Sequence, residues 1–155
     1  MKYFHILLLL GITISTILLG QSIEIPHKMM KQDITLNIPI FIYDVSNLES
    51  IQLTIEYDES IIFTEDIIEN PVGIMDGGYT FITNISEPGI IILVIGSDSG
   101  NLFSGSGMIA QIPFQAVGQL GDFSPLIFTD AQMNTPQPPP LTVNGSIEII
   151  LDELM

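Results

Sequence analysis

Apolar and polar residues alternate with a period of two from Gln32 onward, which is the pattern of a strand that buries one face. In the first such strand one face carries Leu36, Ile38, Ile40 and Ile42, and the other carries Asn37, Pro39 and Phe41. Because proline has no N–H to donate to a neighbouring strand, Pro39 predicts an edge position. In the next strand the inward residues are Ile51, Leu53, Ile55 and Tyr57, and the outward ones are Gln52, Thr54 and Glu56.

Further strands are predicted at 61–64, 79–84, 90–95, 108–117, 126–129 and 141–150. Clusters of Gly, Pro, Asn and Asp separate them, and Asp76-Gly77-Gly78 suits a tight hairpin. The segment Ile90–Ile95 is apolar on both faces, so we expect it inside a sheet with a second layer or a partner over its far side. No amphipathic helix is evident. The spacing predicts an all-β fold, a sandwich of two sheets.

The start of the chain has a different pattern. Lys2 precedes an apolar run that continues to Leu19, and Gly20 and Ser22 are small. This predicts a signal peptide over 1–22, cleaved after Ser22, with cleavage after Gly20 and a retained membrane anchor as alternatives. We expect 23–32 to be a leader, 33–150 a single domain, and 151–155 a frayed tail. The protein is therefore expected outside the cell, without stable membrane insertion after cleavage.

Composition narrows the function. The chain has 155 residues, 46% of them hydrophobic, no Cys, and a formal net charge of −15, with no Lys or Arg after Lys31. Such a surface repels phosphate backbones and anionic lipids, which argues against nucleic-acid binding. Partners should be cationic, neutral or bridged by calcium. Export without disulfides fits a bacterial protein whose stability comes from core packing.

The sequence contains few residues that could act in catalysis. His27 is the one histidine after the predicted signal peptide, and we interpret it as a solvated leader residue. Nucleophilic triads and zinc sites are thereby excluded. The adjacent acids Asp58-Glu59 and Glu65-Asp66 could in principle form a glycosidase pair, but neighbouring strand residues point apart, so we interpret them as solvated turn and edge charges. We expect no catalytic residue, no metal ligand and no enzyme activity.

Two smaller features have structural interpretations. Asp98, Ser99 and Asn101 form an oxygen-rich turn that leaves calcium open, although an Asx-type turn explains it better. Pro136 and the run Pro138–Pro140 predict an extended surface spacer rather than a ligand for proline-binding domains.

Four motifs in order give the segment from Asp33 to Ile150 a resemblance to the cohesin family. They are Leu36-Asn37-Ile38-Pro39-Ile40; Ile51 to Ile62, with its Tyr57-Asp58; Ser97-Asp98-Ser99-Gly100 followed by Gly107 to Phe114; and Val143-Asn144-Gly145-Ser146-Ile147. The resemblance implies an antiparallel sandwich of about nine strands with jelly-roll topology. It also implies a secreted or cell-surface module that binds a dockerin on polysaccharide-degrading enzymes, with calcium on the dockerin and no cofactor on this chain.

In that family one sheet face meets the helix of the partner. The positions that match it here are Ser50, Gln52, Thr54, Val94, Gly96 and Ser97. These residues are small or neutral, whereas cohesins often carry Asn, Asp or another acid at the positions of Ser50, Gln52 and Ser97. The resemblance therefore implies a contact dominated by shape and backbone.

Two other functions fit a sandwich of this type. A carbohydrate-binding module needs two or three coplanar exposed rings, for which the candidates are Tyr43, Phe63, Tyr79 and Phe81. A structural surface or adhesion domain would act as a spacer and would bind nothing.

Overall fold

Alternating apolar residues fold this chain into two stacked sheets. The structure, a computed structural model, describes residues 20–69, 78–98, 100–134 and 137–151. The first sheet contains β1 (Ser22–Glu24), β3 (Thr35–Leu48), β5 (Ile62–Phe63), β6 (Ile68–Glu69), β9 (Phe103–Ala116) and β11 (Leu141–Val143). The second contains β2 (His27–Lys31), β4 (Ser50–Glu56), β7 (Tyr79–Asn84), β8 (Ile90–Ser97), β10 (Phe123–Met133) and β12 (Gly145–Ile150). The predicted signal-peptide core, the hairpin residues Asp76-Gly77, and Ser99, Pro136 and 152–155 lie outside the described residues.

The order of strands is β11-β1-β3-β9-β5 in the first sheet, where β6 also pairs with β9, and β2-β12-β10-β4-β8-β7 in the second. The all-β sandwich is confirmed, and the described residues contain no helix. The count of about nine strands was too low, since the described residues form twelve. The sheets are also not wholly antiparallel, because β1 pairs with β11 and β2 with β12 in parallel.

The inward faces of the strands form one core between the sheets. Ile38, Ile40 and Ile42 of β3 face Ile51, Leu53 and Ile55 of β4, and all are buried as the alternation predicted. Burial of large aliphatic side chains stabilises by roughly 1.5–3 kcal/mol each, which replaces disulfides as the source of stability. Pro39 does not lie on an edge strand, because β3 sits between β1 and β9. However, β1 pairs with Phe41–Tyr43, beyond Pro39, so the proline displaces no bond of that ladder.

The segment 23–32 is not a leader, and the boundary predicted at residue 33 is too late. Ile23, Ile25 and Met30 are fully buried. The chain forms β1 in the first sheet and then crosses to form β2 in the second. Strands β11 and β12, which pair with β1 and β2, cross between the sheets in the same way. A Cβ on Gly145 would lie 2.6 Å from the carbonyl oxygen of Ile25, so glycine permits this close approach. Two short strands interrupted by a proline gave too few alternating positions for detection.

His27 is correspondingly part of the domain. It lies exposed on β2, and its Nδ1 is 2.7 Å from the hydroxyl oxygen of Ser146 on β12. The segment 90–95 lies inside the second sheet as predicted, with β4 on one side and β7 on the other.

Candidate functional site

The pairing of β4 with β8 brings five of the six predicted site residues onto the outer face of the second sheet. Ser50 is opposite Gly96, Gln52 is opposite Val94, and Thr54 is opposite Ile92. Because the inward positions of β4 are filled by core residues, the alternating positions between them face away from the core. All five are at least partly accessible.

Ser97 does not belong to this face, so its placement was wrong. Consecutive strand residues point to opposite faces, so Gly96 and Ser97 cannot both face outward. Ser97 is opposite Tyr79, which packs against the core, and its hydroxyl is buried without a hydrogen-bond partner among the described residues. Its backbone N–H donates to the carbonyl of Glu49 at 2.9 Å.

Strands β7 and β10 add residues to the outer face that sequence analysis missed. On β7, Ile82 is opposite Val94. On β10, Gln132 is opposite Gln52, and Asp130 is opposite Thr54. Alternation within these strands could have identified their outward positions, but the order of the strands in the sheet comes only from the structure.

The outer face has two unlike halves. Strands β8 and β7 contribute an apolar half, whose apolar side chains are Ile82, Ile90, Ile92 and Val94. The polar residues Thr80 and Asn84 border it on the outer edge of β7. Ile82 is 61% exposed, and the other three apolar side chains are half-buried. Strands β4 and β10 contribute a polar half, which consists of Gln52, Thr54, Glu56, Asp130 and Gln132. A sheet face that meets only water is expected to be polar, so the apolar half indicates a surface for association.

Hydrogen bonds fix the polar half. The side-chain amide of Gln52 donates to Asp130 Oδ2 at 3.2 Å, and the amide of Gln132 donates to both carboxylate oxygens of Asp130 at 3.3 Å. At the far edge of the sheet, the hydroxyl of Thr80 donates to Asp98 Oδ1. These bonds hold the polar side chains in defined orientations on the sheet.

Small residues form a low floor at one end of the outer face, where Ser50 is opposite Gly96. A Cβ built on Gly96 would meet no heavy atom within 4 Å, and the side chain of Ser50 is short. A partner can therefore approach the backbone of β4 and β8 closely at this point.

Asn134 fixes the place where β3 turns into β4 and crosses between the sheets. Its Oδ1 accepts the N–H of Glu49 at 2.6 Å and that of Ser50 at 3.1 Å, while its Nδ2 donates to the carbonyl of Asn47 at 2.6 Å. Asn134 has a φ of 47°, a conformation that asparagine adopts more readily than most residues. Asn134 is thus a positioning residue for the start of β4, and no sequence motif identified it.

The described residues bring together no group of three His, Asp or Glu that could hold a metal ion. In the turn after β4, the N–H and hydroxyl of Ser60 donate to Asp58 at 2.9 and 2.6 Å, and these bonds lower the pKa of Asp58. Asp66 accepts the N–H of Ile67 at 2.7 Å.

In the described ranges no helix is long and apolar enough to span a bilayer.

The four candidate rings for carbohydrate binding do not share one surface. Tyr79 and Phe81 pack against the core. Phe63 lies on β5, and Tyr43 lies on β3, where its ring centroid is 6.2 Å from that of Phe41 with the planes tilted by 31°. The four rings therefore form no common platform for sugar stacking.

No protein-family model and no curated protein matches the sequence. Solved structures do match. A non-cellulosomal cohesin from the hyperthermophilic archaeon Archaeoglobus fulgidus has a TM-score of 0.72 and 20% identity, over 86% of this chain and 93% of that one. CaCohA2 from Clostridium acetobutylicum has a TM-score of 0.71 and 22% identity, over 84% and 90%.

The third cohesin of ScaC from Acetivibrio cellulolyticus, solved in complex with the ScaB dockerin, has a TM-score of 0.71 and 14% identity, over 84% of this chain and 99% of that one. These similarities cover nearly the whole described chain at low identity. The chain therefore has the fold of the cohesin domains, as its sequence motifs predicted.

Proposed function

We propose that this protein is a secreted, non-catalytic module that binds a dockerin-like protein module through the outer face of β10, β4, β8 and β7. The observation that carries the proposal is the apolar half of that face, Ile82, Ile90, Ile92 and Val94, on a domain with the cohesin fold. Similar cohesins have been solved in complexes with dockerins, which supports a partner of that class.

The geometry favours a protein partner over a small ligand. The outer face is open and crosses four strands, which suits a contact of about 800 Å² on each partner. Its apolar half and its hydrogen-bonded polar half supply the two kinds of contact that protein interfaces combine. We propose that any calcium belongs to the partner, and that the partner is attached to an extracellular polysaccharide-degrading enzyme.

Export is part of the proposal. Cleavage after Gly20 would leave β1 complete, whereas cleavage after Ser22 would remove its first residue, which pairs with Tyr43 and Leu141. The carbonyl of Gln21 also accepts the N–H of Leu141 at 2.9 Å. Strand integrity thus favours cleavage after Gly20.

The test is binding of the purified exported protein to a panel of recombinant dockerin modules, measured by calorimetry with calcium and with EDTA. Gly96→Tyr adds bulk at the open floor, and Thr35→Tyr places the same ring at an exposed position of the first sheet. We expect at least one dockerin to bind the parent and Thr35→Tyr alike, and Gly96→Tyr to bind at least 100-fold more weakly with an unchanged Tm.

Failure of every dockerin to bind the parent would refute the partner class. Equal affinity of Gly96→Tyr and the parent would refute the face. Retardation of the parent in a polysaccharide affinity gel, unchanged by Gly96→Tyr, would instead support the carbohydrate-binding alternative.

A further inference from the structure

Strand β7 forms one edge of the second sheet, and half of its backbone hydrogen-bonding groups point away from that sheet. The N–H of Asp98 donates to the carbonyl of Gly78 at 2.8 Å, so the even-numbered residues of β7 are those that bond to β8. In agreement, the N–H of Ser97 donates to the carbonyl of Glu49 at 2.9 Å, so the odd-numbered residues of β8 bond to β4 instead. The odd-numbered residues of β7 therefore direct their backbone groups toward the free edge. These edge-facing residues are Tyr79, Phe81 and Thr83.

Among the described residues, nothing pairs with these backbone groups. Strand β7 ends the order β2-β12-β10-β4-β8-β7, so it has a neighbour on one side only. On its other side no described residue forms a hydrogen bond with the backbone of Tyr79, Phe81 or Thr83. A row of unpaired N–H and C=O groups on an extended strand is a template for pairing with a further strand.

The other terminal strands of the two sheets carry features that keep an edge from pairing. Strand β2 contains Lys28 and Lys31, β5 has two residues, and β11 has three residues and follows the run Pro138–Pro140. Strand β7 has six residues, YTFITN, with no charge, no proline and no register shift in its pairing with β8. On its outward side, Ile82 is 61% exposed. Among the terminal strands that the structure describes, β7 is therefore the one without such protection.

The free edge of β7 fits a second β7 in antiparallel orientation. With a two-fold axis at Phe81, Phe81 is opposite its own copy and Tyr79 is opposite the partner subunit's Thr83, so all three edge-facing residues lie in hydrogen-bonded pairs. On the outer face, Ile82 is then opposite the partner subunit's Thr80, a contact between two β-branched side chains. Because β7 has no charged residue, two copies of this acidic chain place no like charges opposite each other along the ladder.

We infer that β7 pairs with β7 of a second copy of this chain, which joins the second sheets of the two copies into one continuous sheet. The net charge of −15 opposes this association, so the dimer should be tighter at high ionic strength, where salt screens the repulsion. Opposite residues of paired strands share a face, so the outer faces of both copies lie on the same side of the joined sheet. The dimer thus presents two docking faces side by side, a consequence that rests on the proposed function, whereas the strand pairing does not.

Sedimentation equilibrium of the purified exported protein, at about 50 and 500 mM NaCl, measures the association. We expect a reversible dimer whose Kd is lower at the higher salt concentration. Thr83→Pro removes an edge-facing N–H, leaves the bonds to β8 in place, and should weaken the dimer about tenfold or more. Thr83→Lys should do the same although it reduces the negative charge, because a lysine on an edge strand blocks pairing. Thr35→Lys makes the matched change at an exposed position of the first sheet and should dimerise at least as tightly as the parent, with unchanged Tm values in all three variants.

Amide hydrogen exchange, followed by NMR, locates the contact. The N–H groups of Tyr79, Phe81 and Thr83 should exchange more slowly as the protein concentration rises, while those of Thr80 and Ile82 are protected at every concentration. Three results would each overturn the inference: a monomer at all concentrations and both salt levels, a dimer that both Thr83 variants leave intact, or protection of the edge-facing amides in dilute, monomeric protein. None of these measurements uses a dockerin, so their outcome is separate from that of the proposed function.

Discussion

Strands β4 and β8 are direct neighbours. Both have apolar side chains on the inward face, but on the outward face β4 is polar and β8 is apolar. Inward, Ile51 is opposite Ile95, Leu53 is opposite Leu93, and Ile55 is opposite Ile91. Outward, the polar residues Gln52, Thr54 and Glu56 are opposite Val94, Ile92 and Ile90.

The core accounts for the interior match, because both strands pack against the same first sheet. It does not account for the exterior difference. A solvated face would accept on β8 the polar residues that it accepts on β4, so the apolar outer row of β8 points to a partner. The inward row therefore stabilises the fold, and the outward row belongs to the proposed docking face.

The largest expected effect is a loss of stability when an inward residue of β8 is changed. Leu93→Ala removes a fully buried side chain and should lower the free energy of unfolding by about 2–5 kcal/mol. Val94→Ala, the next residue along and half-buried on the outer face, should cost about 1 kcal/mol or less. Urea denaturation measures both, and equal losses would contradict the division into two faces.

On the exterior side we expect loss of binding with little loss of stability. Ile82→Asp places a charge in the apolar half and should weaken dockerin binding about 100-fold, while the free energy of unfolding changes by roughly 0.5 kcal/mol or less. Leu141→Asp is the matched control, since Leu141 is 67% exposed and lies on β11 of the other sheet, against 61% for Ile82. A loss of binding in Leu141→Asp as large as that in Ile82→Asp would contradict the assigned face.

Substitutions of Asn134 test whether its side-chain hydrogen bonds hold the start of β4 in place. Asn134→Gly keeps the positive φ accessible but removes three side-chain hydrogen bonds, so we expect about 1–2 kcal/mol lower stability. Asn134→Ala should lose more, because alanine is also strained at that φ. Thermal unfolding ranks the two variants, and a stability equal to that of the parent in Asn134→Gly would show that the bonds do not hold the strand.

The smallest effect concerns the turn that ends β4. Hydrogen bonds from Ser60 lower the folded-state pKa of Asp58 below its usual 3.8, so the charged form is favoured in the folded state. Their contribution to stability is present above that usual pKa and is lost as the pH falls through the lowered one. Ser60→Ala removes the hydroxyl bond, and NMR titration should show the pKa of Asp58 moving upward. An unchanged pKa would show that the hydroxyl does not act on it.

Alternation predicted the long strands only in part: 126–129 was predicted within β10 (Phe123–Met133), and 108–117 missed the first five residues of β9 (Phe103–Ala116). Alternation did predict β4 and the inward positions of β3 and β8, because each of these three strands has at least three apolar residues at every second position. It missed β1 and β2, which are too short to show a period, and their burial depends on pairing with β11 and β12 at the other end of the chain.

The candidate site was predictable only where the family motifs reached. They placed Gln52 and Val94 on one surface, and the pairing of β4 with β8 brings these residues together. Asp130, Gln132 and Ile82 were missed because the neighbours of a strand depend on topology, which periodicity does not encode. The error at Ser97 came from placing two consecutive residues on one face.

Backbone amide NMR shifts of the labelled protein, titrated with a binding dockerin module, test the central claim most directly. We expect the largest changes at the outward positions of β4, β8, β7 and β10, including Thr54, Ile82 and Asp130, and little change across β1, β3 and β9. Changes centred on Phe41 and Tyr43 of the first sheet, or no changes at saturating dockerin, would contradict the account.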